Sequence, residues 1–380
     1  MDMFSYVGAV FLDRAEKLGL KWNWKNAEKF LLPEYEEYEN KRGLFFYVHN
    51  EYRPGVDLGK RYAVQHEFRP DSVEIGSPAH DIYLNFTNSL DYRTNSSQVY
   101  ASTKKLWHQF PEMFTHEACE RLSFKDVEHA LQVVRYSFPT QGAERWMATA
   151  KTTFENLDGD PVKIFKNGAE NIDELMSQRQ LIQKTSPHYL WGKGPKLLSL
   201  LAIMYEEFGR IPPFPRSYPV DLHVQRILCA LEIVSWEGSV EMDASVLAEY
   251  CRHKLVEFHE LHKMNTLRSA HMLWFRGNGL CQNCMLLRAE RPNFLREMCS
   301  LYRIGCGGPK FHTGTYSQER IWSERAILNL EIAHPDVFRL VPPEARELRR
   351  VRHVKKIREP SNKPVPKPED FELISDEFFG

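Results

Sequence analysis

Residues 190–228 read LWGKGPKLLSLLAIMYEEFGRIPPFPRSYPVDLHVQRIL, and the rest of the chain is best understood outward from them. Gly192 and Gly194 stand just ahead of an apolar segment whose periodicity predicts a helix from about Pro195 to Phe208. Glycines at that place allow a tight turn whose backbone N–H groups face outward at a helix N-terminus. Such a turn can take a phosphate without regard to sequence, although an ordinary interhelical turn looks the same. After a loop carrying Pro212, Pro213 and Pro215 comes Pro219-Val220-Asp221-Leu222-His223-Val224, and then Gln225, Arg226 and Ile227 as a second helix begins. Asp221 on its own reads first as a helix N-cap, the common role of an aspartate before an apolar periodic run, with a functional carboxylate as the alternative.

Around this stretch the pattern is mainly helical. Residues 1–40 repeat apolar positions (Val7, Val10, Phe11, Leu18) at helical spacing. The segments Gly43–Val48, Tyr62–Phe68 and Ile82–Phe86 are aromatic-rich and separated by Pro, Gly and Asp, which predicts short strands or an irregular insertion. From residue 87 to 335 helices dominate, with starts at Ser123 before Phe124–Val134 and at Asp243 before Ala244–His262. Arg346, Arg349, Arg350, Arg352, Lys355, Lys356 and Arg358 then form a basic run, followed by Pro360, Pro364, Pro366 and Pro368 and an acidic tail. Three regions are therefore expected: an extension over 1–86, a core over 87–335 and a tail over 336–380.

Composition narrows the class. With 42% hydrophobic and 27% charged residues the chain reads as globular, and no apolar run is long enough to cross a bilayer. The first residues, MDMFSYVGAVFLDRAEKLGL, have an early acid and no basic n-region, so a cytoplasmic location is expected. The net charge of −1 neither supports nor excludes nucleic acid, leaving that argument to local charge. Of seven cysteines, Cys119, Cys229 and Cys251 sit singly in helical patterns and read as core residues. Cys281-x2-Cys284-x14-Cys299-x6-Cys306 is a four-thiolate pattern and predicts a metal site. By spacing alone zinc is the commonest occupant. Arg288, Arg291, Arg296, Arg303 and Lys310 around it, and the run 346–358, are candidate phosphate contacts.

Taken together, these pieces resemble the helix-hairpin-helix DNA glycosylase superfamily. Its hairpin reads L-P-G-V-G-x-K-T-A and is followed by V-D-T-H-V-x-R. Leu190, Gly192, Gly194 and Lys196 match the first motif, and Val220, Asp221, His223, Val224 and Arg226 match the second. Trp191 replaces the usual proline, and the loop between the motifs is longer. Ser89-Leu90-Asp91-Tyr92, with Asn95, is similar to the segment that lines the family's base pocket. His271-x-x-Trp274-x-x-Gly277-x-x-x-Cys281 is similar to the helix entering its iron–sulfur loop. A closer likeness is to the divergent branch described as alpha-glutamyl/putrescinyl thymine pyrophosphorylases, which includes antiphage glycosylases.

The resemblance implies a mainly α, two-lobed helix-hairpin-helix glycosylase-like fold with a small irregular or β insertion near the N-terminus. It implies a monomer that binds double-stranded DNA, plausibly phage DNA with modified bases, and no membrane. The activity implied is flipping and excision of a bulky base such as glucosylated 5-hydroxymethylcytosine, leaving an abasic site. Asp221 would be the catalytic carboxylate. Asp91, Tyr92 and His223 would serve the base pocket, and Gly192, Lys193, Gly194 and Arg226 would meet DNA. Lys196 occupies the position of the lysine that forms a Schiff base in strand-nicking members, although a phosphate or structural role and a monofunctional enzyme are the favoured reading. For Cys281, Cys284, Cys299 and Cys306 the resemblance leans to [4Fe–4S] over zinc, while their order departs from the family's C-x6-C-x2-C-x5-C. The alternatives are a hypermodification enzyme of transferase or kinase type and a non-catalytic DNA-binding protein. The segment Gly192-Lys193-Gly194-Pro195-Lys196 lacks Walker A spacing, which counts against a self-contained kinase.

Overall fold

The computed structural model describes residues 6–40, 69–91, 96–236, 244–277, 293 and 296. Among these the chain is mainly helical: α1 (Tyr6–Lys17), α2 (Trp24–Asn40), α3 (Pro78–Leu90), α4 (Ser96–Gln109), α5 (Glu117–Glu120), α6 (Phe124–Val133), α7 (Pro139–Lys151), α8 (Ile172–Ile182), α9 (Pro195–Glu207), α10 (Leu222–Ala230), α11 (Ala244–His262) and α12 (Thr266–Phe275). The described strands, β1 (Lys21–Trp22) and β2 (Val234–Ser235), form one short antiparallel pair with Lys21 opposite Ser235. No helix among the described residues is long and apolar enough to cross a membrane. Two compact units result. One gathers the described residues of Met1–Leu12, Tyr62–Pro219 and Leu255–Leu267, the other those of Asp13–Arg61, Val220–Lys254 and Arg268–Gly380.

In the first unit α3 is the central element. Tyr83, Phe86 and Leu90 enter one apolar cluster with Leu106, Phe114 and Trp146, while Leu84 enters another with Ile172, Leu198, Leu201 and Tyr205. The polar stripe of α3, Asp81, Asn85 and Asn88 at i, i+4 and i+7, is buried too, so these side chains must find partners inside. They do. Asp81 binds Arg210 through Nε at 3.0 and 2.9 Å and Nη2 at 2.7 Å, and its backbone carbonyl accepts from the Tyr205 hydroxyl at 2.9 Å. Burial pushes the Asp81 carboxyl up while Arg210 pulls it back.

This corrects the expectation of a strand over Ile82–Phe86. The residues are helical because Ser77 caps the start, its hydroxyl oxygen accepting from the His80 N–H at 3.2 Å, with Pro78 in the first turn. The other expected strands, Gly43–Val48 and Tyr62–Phe68, lie outside the described residues, as does the tail from 336. The expected boundary between 86 and 87 falls within α3.

Other starts match their sequence signals. Ser123 and Asp126 make a capping box at α6, with the Ser123 N–H donating to Asp126 Oδ2 at 2.8 Å. Asn171 Oδ1 caps α8 by accepting from Asp173 and Glu174 N–H groups at 3.0 and 3.1 Å. The helix expected after Asp243 is α11, with the bounds anticipated.

Candidate functional site

The turn between α8 and α9 is held from several directions. Leu190 and Gly192 take left-handed backbone, with φ of 48° and 76°. Such a conformation is costly for a leucine and demands external support. Thr152 supplies it: its hydroxyl donates to the His188 carbonyl at 3.1 Å and accepts from the Leu190 N–H at 3.0 Å. Two guanidinium groups hold successive carbonyls. Arg145 Nη1 donates to Gly192 O at 2.7 Å, and Arg179 Nη1 donates to Lys193 O at 2.8 Å. A Cβ on Gly192 would stand 3.1 Å from Arg145 Nη1, so the residue needs glycine for both conformation and space. Gly194 differs. It is extended at φ −87°, an added Cβ would meet nothing within 4 Å, and it caps α9 without a side-chain oxygen. The start of α9 is therefore open at Gly194, with Pro195 behind it.

Lys193 corrects the sequence expectation. Its side chain does not reach toward a ligand; it is 1% exposed, and Nζ donates to Asn85 O and Asn88 Oδ1, both at 3.0 Å. Burial, reinforced by Arg145, pushes its amine well below the usual lysine range. Both acceptors are neutral amide oxygens, so neither brings a compensating negative charge. The Lys193 backbone N–H is also used, donating to Leu190 O at 3.1 Å.

Lys196 and Asp91 come together. Lys196 Nζ lies 3.2 Å from Asp91 Oδ2 and 3.5 Å from Asp91 O. The lysine side chain is 35% exposed and the aspartate 6%, so a buried carboxylate anchors a half-exposed ammonium. Asp91, expected in the base pocket, has its carboxylate paired with Lys196. Tyr92 lies outside the described residues.

Asp221 belongs to the other unit. It is half-buried and caps α10: Oδ1 accepts from the Val224 N–H at 2.9 Å. Among the described residues Oδ2 has no hydrogen-bond partner. Proline and valine before it, both without a side-chain acceptor, leave the cap to Asp221. One turn on, His223 is half-buried, and a Cβ on Gly277 would come within 2.8 Å of His223 Cβ and 3.0 Å of its carbonyl oxygen. That close approach explains Gly277 in the His271-x-x-Trp274-x-x-Gly277 pattern: a larger residue would push against the first turn of α10. Burial pushes His271 of the same pattern down to about 4, so it is neutral near neutrality. Arg226 falls in α10, with its side chain outside what is described. Cys281, Cys284, Cys299 and Cys306 lie outside the described residues as well.

Sequence reading missed Arg145, Arg179, Thr152, Asn85 and Asn88, which fix the turn from four other segments. Only Asn85 and Asn88 left a trace, as amides that continue the helical spacing of Asp81 at i+4 and i+7. Compared with known proteins, the chain matches no family model and no curated protein.

Proposed function

We propose that the chain is a DNA N-glycosylase that excises a modified base and leaves an abasic site. The observation that carries this reading is the Asp221 carboxylate: one oxygen is spent on the α10 cap, and the other has no protein partner among the described residues. The reaction needs such a group. As the C1′–N bond breaks, its electron pair leaves with the base, and positive charge builds on the sugar. A carboxylate can stabilise that charge and take the proton of the water whose oxygen bonds to C1′. The turn before α9, with two supported carbonyls and an open Gly194, would take a backbone phosphate. A bulky base such as a glucosylated cytosine in foreign DNA is the substrate class this reading favours. The four cysteines would hold a structural metal, iron–sulfur or zinc, with no chemical step routed through it.

Asp221→Asn tests the proposal. Asparagine is as good an N-cap as aspartate, so folding and DNA binding should persist while base release falls by about a hundredfold or more. The measurement is mass spectrometry of bases freed from several modified phage genomes. Release at the wild-type rate removes Asp221 from the chemistry. A non-catalytic DNA-binding protein is the second reading, because the cap bond to Val224 accounts for Asp221 structurally. It predicts no base release from any genome by the wild-type protein.

A further inference from the structure

Lys196 is the second residue of α9, where a helix disfavours positive charge because its own N-terminal N–H groups are already positive. An unpartnered lysine there, half-exposed, would lose its proton more readily than a surface lysine. Asp91 reverses that preference. Its carboxylate stands 3.2 Å from Nζ, and its carbonyl adds a second acceptor at 3.5 Å. Nor can this acceptor swing away. Asp91 ends α3, its N–H donates to Asn88 O at 3.2 Å, and the preceding carbonyl, Leu90 O, accepts from the Tyr136 hydroxyl at 2.7 Å. Asn88 Nδ2 donates to Leu197 O at 2.9 Å, tying the same helix to the residue after Lys196. The end of α3 and the start of α9 are thus tied to each other, and the lysine is the longer side chain of the pair.

We propose that Asp91 is a positioning residue that keeps Lys196 an ammonium ion and so withholds its lone pair from aldehydes, including the aldehyde an abasic deoxyribose presents; this last part rests on the glycosylase reading. Imine formation shows why charge decides the matter. A neutral amine gives its lone pair to the aldehyde carbon, the aldehyde oxygen leaves as water with one proton from nitrogen and one from solvent, and the proton that stays on nitrogen makes the product a protonated imine. An ammonium held on Asp91 has no pair to give. The tether thus makes the enzyme release an abasic product instead of holding it covalently.

The test begins without DNA. Free protein is treated with glycolaldehyde and cyanoborohydride near neutral pH, and labelling at Lys196 is read against exposed Lys184 by peptide mass spectrometry. Asp91→Asn should raise the ratio on the order of tenfold, the effect of removing one opposite charge at contact distance, and Asp91→Glu should restore it. Should Asp91→Asn fail to fold, wild-type protein in about 1 M salt, which screens a half-exposed pair, should shift the ratio the same way. An unchanged ratio in the folded variant, or in salt, overturns the proposal whether or not the protein acts on DNA. A second arm uses a duplex with a preformed abasic site and borohydride. Asp91→Asn should give a trapped adduct that disappears when Lys196→Ala is added. Raised labelling with no adduct sustains the tether and counts against the glycosylase reading.

Discussion

Replacing Lys193 by methionine should reverse the usual consequence of removing a hydrogen-bonded side chain, and the reversal should depend on pH. In the folded protein the amine is buried, donates to Asn85 O and Asn88 Oδ1, and is pushed by burial well below the usual lysine range. In the unfolded chain it regains an ordinary lysine value near 10.4. The folded value is lowered, so the unfolded state binds more protons throughout the interval between the two values. Stability therefore rises with pH across that interval, by about 1.4 kcal/mol per unit for one group. Methionine keeps the shape and removes the proton linkage, while leaving the Asn88 oxygen short of a donor at a cost of about 1–3 kcal/mol. Near pH 10 the wild type should be the more stable by that amount. One to two pH units lower the curves should cross, and toward neutrality methionine should win.

Urea unfolding of both proteins at several pH values from about 7 to 9 reads the difference directly. Other groups cancel in it: burial pushes the Cys229 thiol up to about 12 and raises that of Cys251 as well, and these thiols respond alike in both proteins. Parallel stability curves would refute the argument, since they mean that Lys193 carries the same charge folded and unfolded.

Gly192→Ala should cost about 1 kcal/mol or more, from its φ of 76° and its contact with Arg145. Gly194→Ala, with open space around it, should leave the unfolding midpoint nearly unchanged, so equal losses at the two glycines would contradict the turn described. Gly277→Ala forces a methyl into the His223 backbone and should destabilise by about 1–3 kcal/mol, lowering base release more than DNA binding; thermal unfolding and a release assay check this. Freshly purified active protein should contain either iron, with absorbance near about 400 nm, or stoichiometric zinc; finding neither removes the metal assignment to Cys281, Cys284, Cys299 and Cys306.

Helix starts were the most legible part of the fold because their signals are local. Ser123 with Asp126, and Asp221 before Leu222, each act within one turn of where they sit in the chain. The segment Ile82–Phe86 was misread for a reason equally physical. The polar stripe of α3, Asp81, Asn85 and Asn88 at i, i+4 and i+7, spans about two turns, and the five-residue window holds only Asn85 of it among aromatic and aliphatic residues. Its true signal was the Ser77-Pro78 start, which short-window aromatic content outweighed.

The candidate site divides along the same line between local and distant causes. Gly192 could be singled out from sequence because the turn itself demands a left-handed residue, whereas Lys193 could not be placed. Whether a lysine between two glycines reaches solvent or interior depends on Asn85 and Asn88, about a hundred residues earlier. The pairing of Lys196 with Asp91 was hidden in the same way, although both residues had been marked separately. Each had been given a role toward DNA by its own motif, and a motif says nothing about the residue opposite. Once paired, the two roles constrain each other. A carboxylate paired with a lysine has one oxygen engaged, and a lysine held as ammonium has no lone pair for a sugar aldehyde. What the pair can do is fix the end of α3 against the start of α9. That leaves the carboxylate chemistry of the proposed reaction to Asp221, on its own cap in the other unit.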